Sequence, residues 1–169
     1  MDKAFLQVEL QGLDETIATD FFEILSENAV INKTPKDVSV LGVILMTIVV
    51  PAIGSGIAQS IGEDVWGKIK DVAQKISQMK SKKRKVPSIY QINFKDKNNG
   101  RTIFVELDSN ASFTIESEVD KIKILLPEIG GKMNKNSFST LRIEIKDSNW
   151  KTGRGKKQDG STEIVVLQK

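Results

Sequence analysis

Apolar and polar residues alternate over Phe5–Leu10 (FLQVEL), the period of a half-buried strand, and Gly12 breaks the pattern. Asp14 and Glu15 then supply first-turn acids to a predicted helix whose Ile17, Phe21, Ile24 and Leu25 share one face. That helix ends near Asn28, Lys33–Pro35 reads as a turn, and Asp37–Val40 as a brief extended piece. From Val38 to Gly62 there is no charged residue. The first part of this run (VLGVILMTIVV) is expected to form a very apolar central helix, Val43–Val50, buried between a sheet and its neighbours. Pro51 and the small residues of GSGIAQSIG interrupt it. Beyond them, Ile57, Ile61, Val65, Ile69, Val72, Ile76 and Met79 recur every three or four residues, which predicts a long amphipathic helix that Lys82–Pro87 ends.

Two alternating segments, Ser88–Phe94 and Thr102–Leu107, flank Asn98-Asn99-Gly100 and predict a hairpin. Glu116–Leu126 aligns Val119, Ile122 and Leu126 on a helix that Pro127 and Gly130-Gly131 should stop. A last hairpin is expected between Thr140–Lys146 and Glu163–Gln168, across a polar, basic and mobile loop. The class is α+β: a small antiparallel sheet packed against helices, one of them the very apolar central helix. Residues 1–130 form the module, and residues 131–169 add a C-terminal hairpin packed on the same domain.

Cysteine and histidine are both absent, and this narrows the chemistry. There is no disulfide, thiol nucleophile or thiolate metal site, and neither the usual general base nor the commonest zinc ligand. Ser-His-Asp, Cys-His and ordinary zinc hydrolases are excluded, which leaves carboxylate chemistry, a Ser-Lys pair or a carboxylate-bound magnesium ion. The expectation is a non-enzyme with no cofactor and no metal. The start MDKAF carries no signal-peptide pattern, which places the expected location in the cytoplasm.

The net charge is +3 and unevenly spread. Lys80, Lys82, Lys83, Arg84 and Lys85 form one cluster, and Lys151, Arg154, Lys156 and Lys157 a second. These are the candidate contacts for an anionic partner, against the plainer role of solvated linker and loop. Trp150 beside Lys151 and Arg154 could stack on a base, but one aromatic is not a platform, and nucleic acid is not the expected partner.

Three further readings attach to particular residues. Within the uncharged segment 38–62, Val38 to Gly56 as a helix approaches the length needed for a hydrocarbon core of about 30 Å. This makes Val43, Ile44, Ile48, Val50, Gly54 and Gly56 candidates for membrane or partner contact, with inner-membrane association as the alternative location. Gly54-Ser55-Gly56 also admits a dinucleotide-binding reading, with Val43–Val50 as strand and a helix from Gly56, although Gln59 is too large for the third small position. Glu144-Ile145-Lys146 with Asp108 resembles half of a nuclease site. Alternation already explains Arg142, Glu144 and Lys146 as the wet face of a strand.

Taken together, Leu41-Gly42, Ile48–Val50, Gly54-Ser55-Gly56, Gly100-Arg101-Thr102 and Val105-Glu106-Leu107-Asp108 give the layout a resemblance to the effector-associated constant component of prokaryotic conflict and immune systems. The similarity covers roughly residues 4–128 and carries no catalytic motif. It implies a non-enzymatic adaptor that binds or restrains an effector encoded nearby in antiviral defence. The chain departs from the pattern in its lysine content and its C-terminal extension. A membrane-active effector and a weak nucleic-acid sensor are the alternative functions, and self-association stays open.

Overall fold

The uncharged run forms an inner strand of a sheet. The computed structural model describes residues 4–11, 29–33, 43–81, 89–108, 115–145 and 152–167. Its elements are β1 (Phe5–Gln11), β2 (Ala29–Lys33), β3 (Val43–Val50), α1 (Ile57–Ser60), α2 (Glu63–Ser81), β4 (Ile89–Asp96), β5 (Thr102–Asp108), α3 (Ile115–Lys135), β6 (Phe138–Ile145), β7 (Thr152–Lys157) and β8 (Thr162–Val166). The strands make one eight-stranded sheet in the order β2-β1-β3-β4-β5-β6-β7-β8. The pairs β1–β2, β3–β4 and β5–β6 are parallel and the others antiparallel, so the sheet is mixed and larger than the small antiparallel one expected.

Val43–Val50 is therefore a strand, not the apolar central helix. Six of its eight residues are β-branched, and such side chains fit a pleated surface better than a helix. It lies between β1 and β4, with Ile48 opposite Leu6 on one side and Phe94 on the other. Ile44, Met46, Ile48 and Val50 point into the core beneath the helices and are fully buried.

Helices α2 and α3 cover that same face. In α2, Val65, Trp66, Ile69, Val72 and Ala73 are buried, and the Trp66 ring lies 6.3 Å from that of Phe94. Surface ion pairs Lys70–Asp120 (2.6 Å) and Lys123–Glu63 (2.9 Å) link the helices, but exposed pairs of this kind contribute at most about 1 kcal/mol each. The expected long helix from Ile57 is interrupted at Ile61-Gly62, and Gly62 accepts from the backbone N–H groups of Val65 and Trp66 at the start of α2.

Helix α3 runs straight through Pro127, which was expected to stop it. The buried stripe Val119, Ile122, Leu126, Ile129, Met133 continues past the proline. Burying Ile129 and Met133 recovers roughly 1.5–3 kcal/mol each, enough to offset a proline penalty of about 3 kcal/mol. Strands β3 and β4 run opposite to β5 and β6, while α2 and α3 share one face. The two crossovers therefore have opposite hands, and one departs from the usual right-handed rule.

The C-terminal strands form a meander instead of the expected hairpin. β6 and β8 do not pair, because Thr152–Lys157, expected as a mobile loop, is the strand β7 between them. Alternation is hidden in β7 because Gly153 and Gly155 occupy its buried positions. The Phe138 ring fills the space a side chain would take at Gly155, where a Cβ would come within 2.5 Å of it. The predicted turn at Asn98–Gly100 does join β4 to β5, with Gly100 at φ +72°. The expected helix from Asp14 and the extended piece Asp37–Val40 lie outside the described residues.

Candidate functional site

Two places gather polar or unsatisfied surface: a knot of hydrogen bonds at one end of the sheet, and the sheet face that the helices leave open. The knot ties together three segments distant in sequence. The buried Asp96 carboxylate accepts from the Ile53 N–H (3.0 Å) and the Asn98 N–H (2.9 Å). Asn98 donates to the Pro51 carbonyl, and Lys97 N–H donates to that of Val50. Asn134, near the end of α3, donates to the Ile53 carbonyl. Arg101 donates to the carbonyls of Met133 and Phe138 and to Asn134 Oδ1, so a guanidinium caps the negative end of the α3 dipole.

Gly54 lies against Gly130 at the same junction, where a Cβ on Gly130 would overlap the Gly54 carbonyl oxygen. The residues that carry the family resemblance and are described here, Ile48–Val50, Gly54–Gly56, Gly100–Thr102 and Val105–Asp108, lie in or beside this junction or on β5. Leu41 and Gly42 are outside the described residues. The knot's polar atoms are spent on one another, which makes it a structural lock.

That lock also bears on the dinucleotide reading. A parallel strand–turn–helix–strand unit does exist, from β3 through α2 to β4. However, Gly54 faces Asn134 and Gly130 at close range, and Glu63 and Asp64 occupy the first turn of α2, where they would repel a phosphate. A cleft of about 620 Å³ opens beside the knot, lined by Arg101, Asn134, Phe138, Lys157 and Asp159 among others. Its charged groups are already engaged. Lys157 pairs with Glu163 at 2.9 Å, a contact that holds its pKa above the ordinary lysine value. The Asp159 carboxyl accepts from Ser161 Oγ and N–H, which lowers its pKa.

The open face follows from the strand registers. Phe5, Gln7 and Glu9 of β1 stand opposite Val49, Thr47 and Leu45 of β3, and these in turn opposite Lys95, Asn93 and Gln91 of β4. The rows continue through Thr102, Phe104 and Glu106 of β5 to Thr140, Arg142 and Glu144 of β6. Arg154 and Lys156 of β7, then Thr162, Ile164 and Val166 of β8, complete the face. No described helix lies on it. Three of the four exposed large apolar side chains among the described residues belong to it: Phe5, Ile164 at 74% and Val166 at 56% exposure. Arg142 lies over the Phe104 ring, 4.8 Å from its centroid, and 3.7 Å from Glu106.

The residues singled out by sequence divide accordingly. Ile44, Ile48 and Val50 are buried beneath the helices; Val43 begins the same strand. Gly54 is enclosed in the knot and Gly56 is exposed. No helix among the described residues is long and apolar enough to cross a membrane. Of the basic residues, Arg154 and Lys156 reach the open face, Lys157 lies in the cleft, and Lys80 falls in the last turn of α2. Lys82, Lys83, Arg84, Lys85, Trp150 and Lys151 lie outside the described residues.

Of the residues that resemble half of a nuclease site, Glu144 is exposed on β6 and Asp108 ends β5. Glu144 stands opposite Glu106, and no group of three or more metal-capable side chains is found among the described residues. Sequence reasoning placed Arg142 and Glu144 on a wet strand face, but missed that Ile164 and Val166 share it. TEIVV does not alternate in polarity, so only its pairing with β7 shows which of its side chains share that face. No family model matches the chain, and no curated protein or solved structure matches it either.

Proposed function

We propose that the chain is a non-enzymatic adaptor that docks on an effector protein of a prokaryotic antiviral system through the open face of its sheet. The observation that carries this reading is the sheet face that no described helix covers, where Ile164 and Val166 are exposed side by side on β8 next to Arg154 and Lys156 of β7. Large apolar side chains rimmed by polar ones are the composition of a protein-contact surface. The family resemblance supplies the kind of partner, an effector encoded beside it. Burial of Ile44, Ile48 and Val50 weighs against the membrane-active alternative, since insertion would first require pulling an inner strand out of the sheet.

Co-expression with the proteins encoded next to it tests the proposal. The adaptor should co-purify with one of them, and Ile164→Asp should abolish the complex while leaving the circular dichroism spectrum and melting unchanged. A complex indifferent to Ile164→Asp, or no complex with any neighbour, contradicts it.

A further inference from the structure

Strand β8 is an edge with little to protect it. Among the described residues no strand lies beyond it, and Thr162–Val166 (TEIVV) contains no proline, lysine or bulge. Its one charged side chain, Glu163, lies on the face away from Ile164 and is neutralised by Lys157 at 2.9 Å. Its buried-face residue Val165 is covered, whereas Ile164 and Val166 on the open face are exposed. Such an edge offers a row of backbone donors and acceptors flanked by two β-branched side chains.

On the open face the charge beside this edge is one-sided. Arg154 stands directly opposite Arg142 across the β6–β7 ladder, a like-charge pairing that costs stability unless something neutralises it. Arg142 has Glu106 and the Phe104 ring to offset its charge. Arg154 and Lys156 have no carboxylate partner among the described residues, and both side chains are exposed. Arg154 is the neighbour of Ile164, and Lys156 of the short Thr162. A strand added at β8 would run roughly 10 Å from β7, two strand spacings away. The long stems of Arg154 and Lys156 can cross Ile164 and Thr162 to meet acidic side chains on it.

Building on the adaptor reading, we propose that β8, with Arg154 and Lys156, is a strand-addition site for an extended segment of the partner that alternates acidic and β-branched residues. Side chains alternate faces along a strand, so the acidic residues of such a segment share the open face with Arg154 and Lys156, while its β-branched residues lie on the opposite face beside Val165. The backbone ladder and these apolar contacts would supply affinity, and the two cations would select acidic sequences. The observations favour a protein over single-stranded nucleic acid. Stacking needs exposed aromatic faces near the cations; among the described residues Phe5 lies on β1, six strands from β8, and the half-buried Phe104 is already covered by Arg142.

Fluorescence anisotropy with a short labelled peptide alternating glutamate and valine tests this on the full chain. The wild type should bind it, and Arg154→Gln/Lys156→Gln should weaken binding at least about tenfold. The double variant Arg154→Glu/Lys156→Glu should lose this peptide and gain the corresponding lysine–valine peptide, an exchange that mere loss of folding cannot produce. Equal binding of the two peptides by the wild type, or no exchange in the double variant, overturns the proposal. So does oligo-dT binding more tightly than the peptide with the same residues required. A wild-type dimer that masks the edge and survives Arg154→Glu/Lys156→Glu would assign β8 to a second copy of the chain. Failure here with co-purification intact removes this site alone, whereas loss of co-purification removes the adaptor reading.

Discussion

Replacing Ile48 by aspartate should prevent folding and drive the chain into aggregates. Ile48 is fully buried on an inner strand, between Leu6 and Phe94, with α2 and α3 above. A carboxylate there would lie unpaired in the core or would force β3 out of the sheet. Either outcome costs several kcal/mol, comparable with the roughly 5–15 kcal/mol that hold a domain of this size together. Soluble yield and the loss of cooperative melting check this. The opposite pattern, a variant more soluble than its parent and a parent that leaks dye from liposomes, would assign the uncharged run to a bilayer.

The adjacent glycines of α3 should respond with opposite signs. At Gly130 a Cβ would overlap the Gly54 carbonyl oxygen and lie 2.9 Å from its carbon. Backbone on both sides leaves no flexible side chain to yield, so Gly130→Val should cost about 3 kcal/mol or more, the upper range of overpacking. It should also loosen the knot, because Asn134 reaches Ile53 only while α3 lies this close. At Gly131 nothing stands within 4 Å, and the residue is inside the helix. Gly131→Ala should therefore stabilise by roughly 0.5–1 kcal/mol, the difference in helix propensity. Urea denaturation of the two variants beside the wild type reads both. A tolerated Gly130→Val would mean that α3 does not approach the loop after β3.

The segments most legible in the sequence were those whose cause is local. The Asn98–Gly100 turn, the alternation of Leu141, Ile143 and Ile145, and the stripe from Val65 to Val72 each follow from neighbours in the chain. An unbroken apolar run has no period, so Val43–Val50 reads equally as a helix, and only its six β-branched residues argue for a strand. The end of α3 was placed at Pro127 because the local penalty was weighed without Ile129 and Met133, which continue the same stripe.

Other elements depend on partners that no local pattern shows. β7 hides its alternation behind Gly153 and Gly155, whose space belongs to Phe138. β2, five residues of AVINK, becomes a strand through pairing with β1. The Asp96 knot was not foreseen, since a carboxylate in a hydrophilic turn gives no sign that it will accept from Ile53. Arg154 and Lys156 were legible as cations. Their position beside an exposed edge was not, because it needed the order of β6, β7 and β8.

Side-chain footprinting of the co-purified complex with hydroxyl radicals tests the central claim most directly, since the two sides of the molecule each carry a reporter. Ile164 and Val166 lie exposed on the open face, while Ile124 lies exposed on α3, on the helical side. Docking through the open face predicts that Ile164 and Val166 become protected in the complex while Ile124 keeps its reactivity. Protection of Ile124 with Ile164 and Val166 unchanged would place the partner on the helices and contradict the account.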